Sequence, residues 1–410
     1  LEEISLRREN IIMTTVTRRL ASVDAFRALT MLLMIFVNDL ISLKDVPSWL
    51  EHAGEMEDRM GLADVVFPAF LFIVGLSIPF AIANREAKGY SRKSTLIHIL
   101  VRSLALLIMG IYDVNYENYV KEGALIPKYW WLLLATIAFF LVWLDYPREM
   151  TKNKKRAFQW SGILLLVFLA IVYKGQGEEQ IIWMKPHWYG ILGLIGWCYL
   201  ICGCLYLWTR GRQPVLWLAF FFFISLCIAD SAKMLVMLKP IRNFFWIVGS
   251  GSLPSLTMGG VLVAIIYRQG VEKDKAVQSL WILLVFAVLA TVAGFWLRPY
   301  WGISKLRGTP AWILISMGIS IATFALLAWL MDLKGRKEWY RLIRPAGTST
   351  LTCYLLPNIH FAIYHLMGDR WRLPENLRTD GVGLVKSMLY AFLIVMLTGW
   401  LEKRKVRLSI

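Results

Sequence analysis

Runs of roughly 17 to 23 consecutive apolar residues recur along almost the whole chain, and a run of that length is what an α-helix needs to cross the hydrocarbon of a bilayer. Twelve such spans are marked, at about 26–42, 62–83, 95–112, 129–146, 157–173, 188–209, 213–229, 253–267, 277–297, 310–331, 347–367 and 384–401. The pattern predicts an all-α fold, a polytopic transmembrane helix bundle whose spans satisfy their own backbone hydrogen bonds inside lipid. The seventh span runs into Asp230 and Lys233 and the eighth is short, so eleven is the alternative count. These spans consume most of the 410 residues and leave no room for a separate soluble domain. Residues 13–410 therefore read as a single membrane domain, and residues 1–12, ahead of Met13, as an added or disordered leader.

A formal net charge of +17 is compatible with nucleic-acid binding, but the basic residues lie in short loops between apolar spans rather than along one stripe. Membrane topology accounts for them better. When alternate loops are assigned to alternate sides, 27 Lys and Arg fall on the side of both termini and 15 on the other. The positive-inside rule then places both termini in the cytoplasm and makes the bilayer, not nucleic acid, the partner. The five cysteines lie inside apolar runs without a C-x-x-C pair, which favours core packing over a disulfide or metal framework. No metal site is expected.

The polar residues that interrupt this pattern are the candidates for function, because ionisable groups at membrane depth are costly unless they face a cavity or a partner. Asn38 and Asp39 close the first span, Asp64 opens the second, and between them the loop Leu43–Gly61 carries His52. On the topology above, this cluster faces outward. An imidazole near neutrality can remove a proton or attack as a nucleophile, and a neighbouring carboxylate, Asp39 or Asp64, can fix its tautomer. The plainer alternative makes Asn38 and Asp64 helix caps and His52 a solvated loop residue. His98, His187, His360 and His365 are weaker candidates, and no H-E-x-x-H, G-x-S-x-G or Walker motif is present.

Other polar positions support the cluster. Ser22 can cap the first span, where the spacing of Asp24 and Arg27 suits an ion pair. Arg102 lies well inside the third span and calls for an acid, such as Asp64, or an anionic ligand. Ser304 and Lys305, in the segment Gly302–Pro310, offer donors suited to an anionic or sugar ligand, or an interfacial anchor. Arg268 and the basic stretch Lys334–Arg344 could attract phosphates from the cytosol. Pro68 and Pro79 can kink the second span and free backbone groups for a ligand.

The segments Ser22–Arg27 (S-V-D-A-F-R), Val37-Asn38, His52 and Ala63–Pro68 (A-D-V-V-F-P) resemble the membrane domain of the heparan-α-glucosaminide N-acetyltransferase family and its bacterial relatives in order and spacing. The likeness continues more weakly through Arg102-Ser103, Gly259-Gly260, Ser304-Lys305 and Pro345–Tyr354. The resemblance implies acetyl transfer from cytosolic acetyl-CoA across the membrane to an amino-sugar or glycan acceptor such as heparan sulfate, more as N- than as O-acetylation. It implies His52 as the functional histidine and Asn38 beside the reactive end of the donor. Asp39 departs from the family pattern, which has an aromatic residue in the animal protein.

The leading expectation is a transmembrane acetyltransferase. His52, Asn38, Asp64 and Asp39 form its catalytic group, and Asn38, Arg102, Ser304, Lys305 and Arg268 contact acetyl-CoA. The alternative is a proton-coupled carrier of an amino sugar or other small polar solute, which the absence of a visible internal repeat disfavours. A structural or assembly subunit is the third reading. A bacterial inner membrane is the expected location. The Gly259-Gly260 pair permits close helix packing, and a homodimer is a further expectation.

Overall fold

The computed structural model describes residues 20–177, 180–187, 189–238, 249–368 and 374–410, so the predicted leader 1–12 lies outside the described residues. The helices are α1 (Ala21–Asp39), α2 (Leu62–Ala87), α3 (Arg92–Glu117), α4 (Lys128–Trp143), α5 (Lys152–Ile171), α6 (Ile191–Thr209) and α7 (Gln213–Ser231). They continue as α8 (Ser252–Glu272), α9 (Ala276–Trp301), α10 (Pro310–Leu327), α11 (Tyr340–Thr348), α12 (Thr350–Leu366) and α13 (Asp380–Lys403). A two-residue ladder pairs Gly175–Gln176 with Ile181–Ile182. Each predicted apolar span overlaps a described helix. Eight helical stretches among the described residues are long and apolar enough to cross a membrane, and the protein is an all-α membrane protein.

The remaining predicted spans show why composition alone is a partial guide. Helix α4 is apolar but has only 16 residues, and α5 opens on Lys152, Lys154, Lys155 and Arg156. Helix α8 is buried almost throughout, from Ser252 to Tyr267. A helix enclosed by other helices can carry Ser, Thr and Gly at contacts that a lipid-facing helix would fill with Leu. The eleventh predicted span is divided, since α11 ends and α12 begins around Ser349. Helix α10 runs on into a π-helical turn, Ala328–Leu333. By contrast, α2 continues for 26 residues through both Pro68 and Pro79.

Contacts divide the chain into two compact units. The first comprises the described residues up to Thr30, Pro47–Ser103 and Ile195–Arg341, and α8 packed on α2 is its centre. The close approach depends on two glycines: a Cβ on Gly75 would lie 1.7 Å from the carbonyl oxygen of Thr257, and one on Gly260 would lie 2.0 Å from that of Phe72. Ile78, Ile82, Ile99, Cys202, Leu216, Met258 and Val261 fill the adjoining core. Helices α9 and α10 pack along each other in the same unit. Asp24 and Arg27 form the ion pair their spacing predicts, at 3.1 Å, and Arg27 also donates to Ser77 Oγ at 2.7 Å. Ser22 sits in the first turn of α1 and donates to Asp332.

The second unit comprises Met31–Val46, Leu104–Leu194 and Leu342–Ile410. Its core holds Tyr112, Trp131, Phe139, Tyr119 and Tyr173 in ring contact. Buried polar tips are satisfied by helix carbonyls: Trp131 donates to Leu169, Tyr112 to Leu166 and Tyr173 to Asn115. The final residues are tied down by Arg407 on Asp145 at 2.7 Å and by the Leu408 N–H on Thr352 Oγ1 at 2.8 Å.

Introducing a side chain at the α2–α8 crossing forces two backbones apart. Gly260→Val should cost about 3 kcal/mol or more, toward or beyond the usual range for overpacking. Gly381→Ala, where nothing lies within 4 Å of the added atom, should change stability by less than about 0.5 kcal/mol. Thermal unfolding in detergent, followed by tryptophan fluorescence, separates the two; equal midpoints would contradict the assigned packing.

Candidate functional site

Asp64 lies in the first turn of α2 with its side chain 1% exposed. Its carboxylate completes half of a capping box: Oδ2 accepts the backbone N–H of the N-cap residue Gly61 at 3.1 Å, and that of Ala53 at 2.9 Å. Gly61 has no side chain to return the bond, and none would fit, since a Cβ there would lie 2.0 Å from the carbonyl oxygen of Glu51. The negative carboxylate also suits the positive end of the helix macrodipole. The Asp64 backbone carbonyl accepts the buried Trp312 indole N–H from α10 at 3.0 Å. These bonds fold the loop 47–61 back over the helix end.

The remaining carboxylate oxygen, Asp64 Oδ1, is 2.7 Å from His52 Nδ1. An ionised carboxylate only accepts, so this contact assigns the proton to Nδ1 and leaves the lone pair of Nε2 free. The imidazole side chain is 41% exposed, so its far edge is open to a reactant. A carboxylate that fixes the tautomer of a half-exposed histidine is the arrangement used by general bases and nucleophiles.

A second loop, between α9 and α10, reaches the same place. Asp58 accepts the Arg298 guanidinium at 2.9 Å and the Ile303 N–H at 2.6 Å, and Ser304 Oγ donates to the carbonyl of Glu55 at 3.2 Å. Burial works against the charge of Asp58, but the Ile303 N–H and the Arg298 guanidinium outweigh it and hold the carboxyl below the usual aspartate range. These clips bring Lys305 Nζ to 3.3 Å from His52 Nδ1 and 3.9 Å from Asp64 Oδ1. Burial pushes the Lys305 ammonium below the ordinary lysine value, with Asp64 opposing. Of the two residues expected as ligand donors, Ser304 sits in the loop clip and Lys305 lies against the imidazole.

The other expected residues have different settings. Asp39, in the second unit, accepts Lys386 Nζ and Ser387 Oγ, each at 2.6 Å, so of the two candidate carboxylates it is Asp64 that engages His52. Asn38, also in that unit, is exposed at the last turn of α1. Arg102 meets no acid among the described residues; its guanidinium lies 5.1 Å from the Tyr199 ring centroid, and its buried Nε has no hydrogen-bond partner among them. Arg268 donates to Glu272 one turn later at 2.7 Å. Tyr267 and Ser22, which the sequence did not single out with Asp332, both donate to its carboxylate beside a cavity of about 890 Å³.

Residues 19–239 match the family described as a domain of unknown function, DUF5009, which is more than half of the chain. The chain belongs to this family. This DUF5009 protein is also similar to the heparan-alpha-glucosaminide N-acetyltransferases of Homo sapiens, at 38% identity, and Mus musculus, at 36%. Each alignment covers 102 residues, 25% of this chain. The match spans only 14% of the length of either curated relative.

Asp64→Ala strands the Ala53 and Gly61 N–H groups and should cost about 3 kcal/mol, whereas His52→Ala, which uncovers one carboxylate oxygen to water and leaves Lys305 beside it, should cost about 1 to 2 kcal/mol. Chemical denaturation of the two variants in one detergent tests the difference. Because the folded-state value of Asp58 is depressed, the stability it contributes is present above the ordinary value of 3.8 and is lost as pH falls through the lower folded value. Proteolytic cleavage within residues 47–61 should therefore accelerate on strong acidification, and Asp58→Asn should show that faster cleavage already at neutral pH.

Proposed function

We propose that this DUF5009 protein is a membrane acetyltransferase that takes the acetyl group of acetyl-CoA and delivers it to an amino-sugar or glycan acceptor, with His52 as nucleophile or general base. The observation that carries the reading is the 2.7 Å contact between His52 Nδ1 and the buried Asp64 carboxylate, with the imidazole half-exposed. The partial similarity to named N-acetyltransferases supports the reaction class. On the topology inferred from loop charge, the His52 loop faces outward and both termini face the cytoplasm, in what we take to be a bacterial inner membrane.

When bound, acetyl-CoA supplies an activated thioester. His52 Nε2 would either accept the acetyl group as the thioester C–S bond breaks and the coenzyme A thiolate leaves, then pass it to the acceptor amine, or take the proton of that amine as it attacks the thioester and expels the same thiolate. Asp64 holds the ring in the Nδ1–H form and stabilises the positive charge that develops on it. The buried Nε of Arg102 fits an anionic group such as a phosphate of the donor, and is the strongest of the expected donor contacts. Arg268 and Ser304 already have partners, so their contribution to donor binding is weaker.

Labelled acetyl-CoA supplied to the protein in nanodiscs with glucosamine should yield N-acetylated sugar. His52→Ala should abolish turnover while leaving acetyl-CoA binding by calorimetry within about twofold, and Asp64→Asn should lower turnover by roughly 10²- to 10⁴-fold. The double variant should be no worse than His52→Ala, because the two act as one unit. Failure to bind acetyl-CoA, together with uptake of labelled amino sugar into vesicles lacking it, would replace the enzyme with a carrier.

A further inference from the structure

Lys305 is held against the dyad rather than extended into water. Its side chain is 22% exposed, although it stands on a loop between two helices, where a lysine ordinarily keeps its ammonium solvated. The loop fixes it from both sides. Thr309 Oγ1 accepts the Ser304 N–H at 3.1 Å, the Gly308 N–H donates to the Lys305 carbonyl at 3.0 Å, and Gly302 and Gly308 take the positive φ values, 68° and 63°, that turn the chain there. Together with the Asp58 and Glu55 clips, this aims Nζ at His52 Nδ1 and Asp64 Oδ1.

The proton on His52 Nδ1 is directed to Asp64, so the 3.3 Å approach of the Lys305 ammonium acts through charge and not as a second hydrogen bond to that nitrogen. A carboxylate alone beside a histidine favours the imidazolium, which has no free lone pair. A second cation beside the ring opposes that protonation. The other charged groups around the site are engaged or exposed. On the same loop, Glu57 pairs with Arg59 while Glu51 and Glu55 are exposed. On the α9 side, Arg298 pairs with Asp58 and Arg307 is exposed. Asp64 is the one carboxylate within ion-pair distance of the imidazole among the described residues.

We infer that Lys305 is a positioning residue of the His52–Asp64 dyad, whose ammonium keeps the imidazole neutral with Nε2 free and so keeps the dyad reactive on the acid side of neutrality. The inference rests on the reading of His52 as the reactive base, but its test requires no acetyl transfer. Diethyl pyrocarbonate acylates the free imidazole nitrogen, and mass spectrometry of the His52 peptide reports that reaction separately from the other histidines.

The full chain in detergent is treated across about pH 5 to 8, as native protein and as Lys305→Met, Lys305→Gln, Lys305→Arg and Leu306→Ala. Both neutral variants should shift the acid limb of His52 acylation to higher pH. On the acid limb the rate at a given pH, relative to the plateau of the same protein, should fall about two- to threefold. Lys305→Arg and Leu306→Ala, the latter an exposed neighbour on the same loop, should follow the native profile. Lys305→Gln serves where Lys305→Met fails to fold. Neutral variants that follow the native profile would overturn the assignment and leave Lys305 as a loop anchor; so would an equal shift in Leu306→Ala. A protein that transfers no acetyl group would still give the predicted shift, so the two failures are distinguishable.

Discussion

The buried carboxylate of Asp64 is the interaction on which this site depends. One oxygen accepts two backbone N–H groups and thereby closes the loop 47–61 onto the start of α2, while the other takes the imidazole of His52. A charge this deep is tolerable only because its acceptor capacity is used and a helix N-terminus and an ammonium lie beside it. The same bonds that stabilise the fold locally therefore fix the orientation of the candidate reactive group. Trp312, donating to the Asp64 backbone carbonyl, extends this dependence to α10.

Much of the fold is legible in the sequence because lipid imposes a simple rule on length and polarity. What that rule omits is local. The π-helical turn at Ala328–Leu333 continues the apolar residues of α10, so hydropathy carries little trace of it, and the break at Ser349 lies in the polar stretch Gly347–Thr350 at the start of the predicted span. Helix α8 is legible as a span but reads short, because its contacts with α2 are made by glycine and small polar residues rather than large apolar ones.

The site is legible in a different way. His52 and Asp64 are close in sequence and stand out against their apolar surroundings, so local reading pairs them. The choice between Asp39 and Asp64 is not local: Asp39 is taken by Lys386 and Ser387 from α13, nearly the whole chain away. Lys305 is also remote from His52 in sequence, and its place depends on Asp58 gripping Arg298 and Ile303, a pairing that no spacing or periodicity encodes. Arg102 shows the limit of charge arithmetic. Its required partner among the described residues is an aromatic face, not an acid, and one buried nitrogen stays available for an anion.

Through its 2.7 Å contact, Asp64 holds His52 in the Nδ1–H form with Nε2 free. Imidazole ¹⁵N resonances of histidine-labelled protein at neutral pH, with His52 assigned by comparison with His52→Ala, test it most directly. A protonated Nδ1 and an unprotonated Nε2 are expected at His52, with loss of that single tautomer in Asp64→Asn. A protonated Nε2 in the native protein, or the same spectrum in the Asp64 variant, would contradict it.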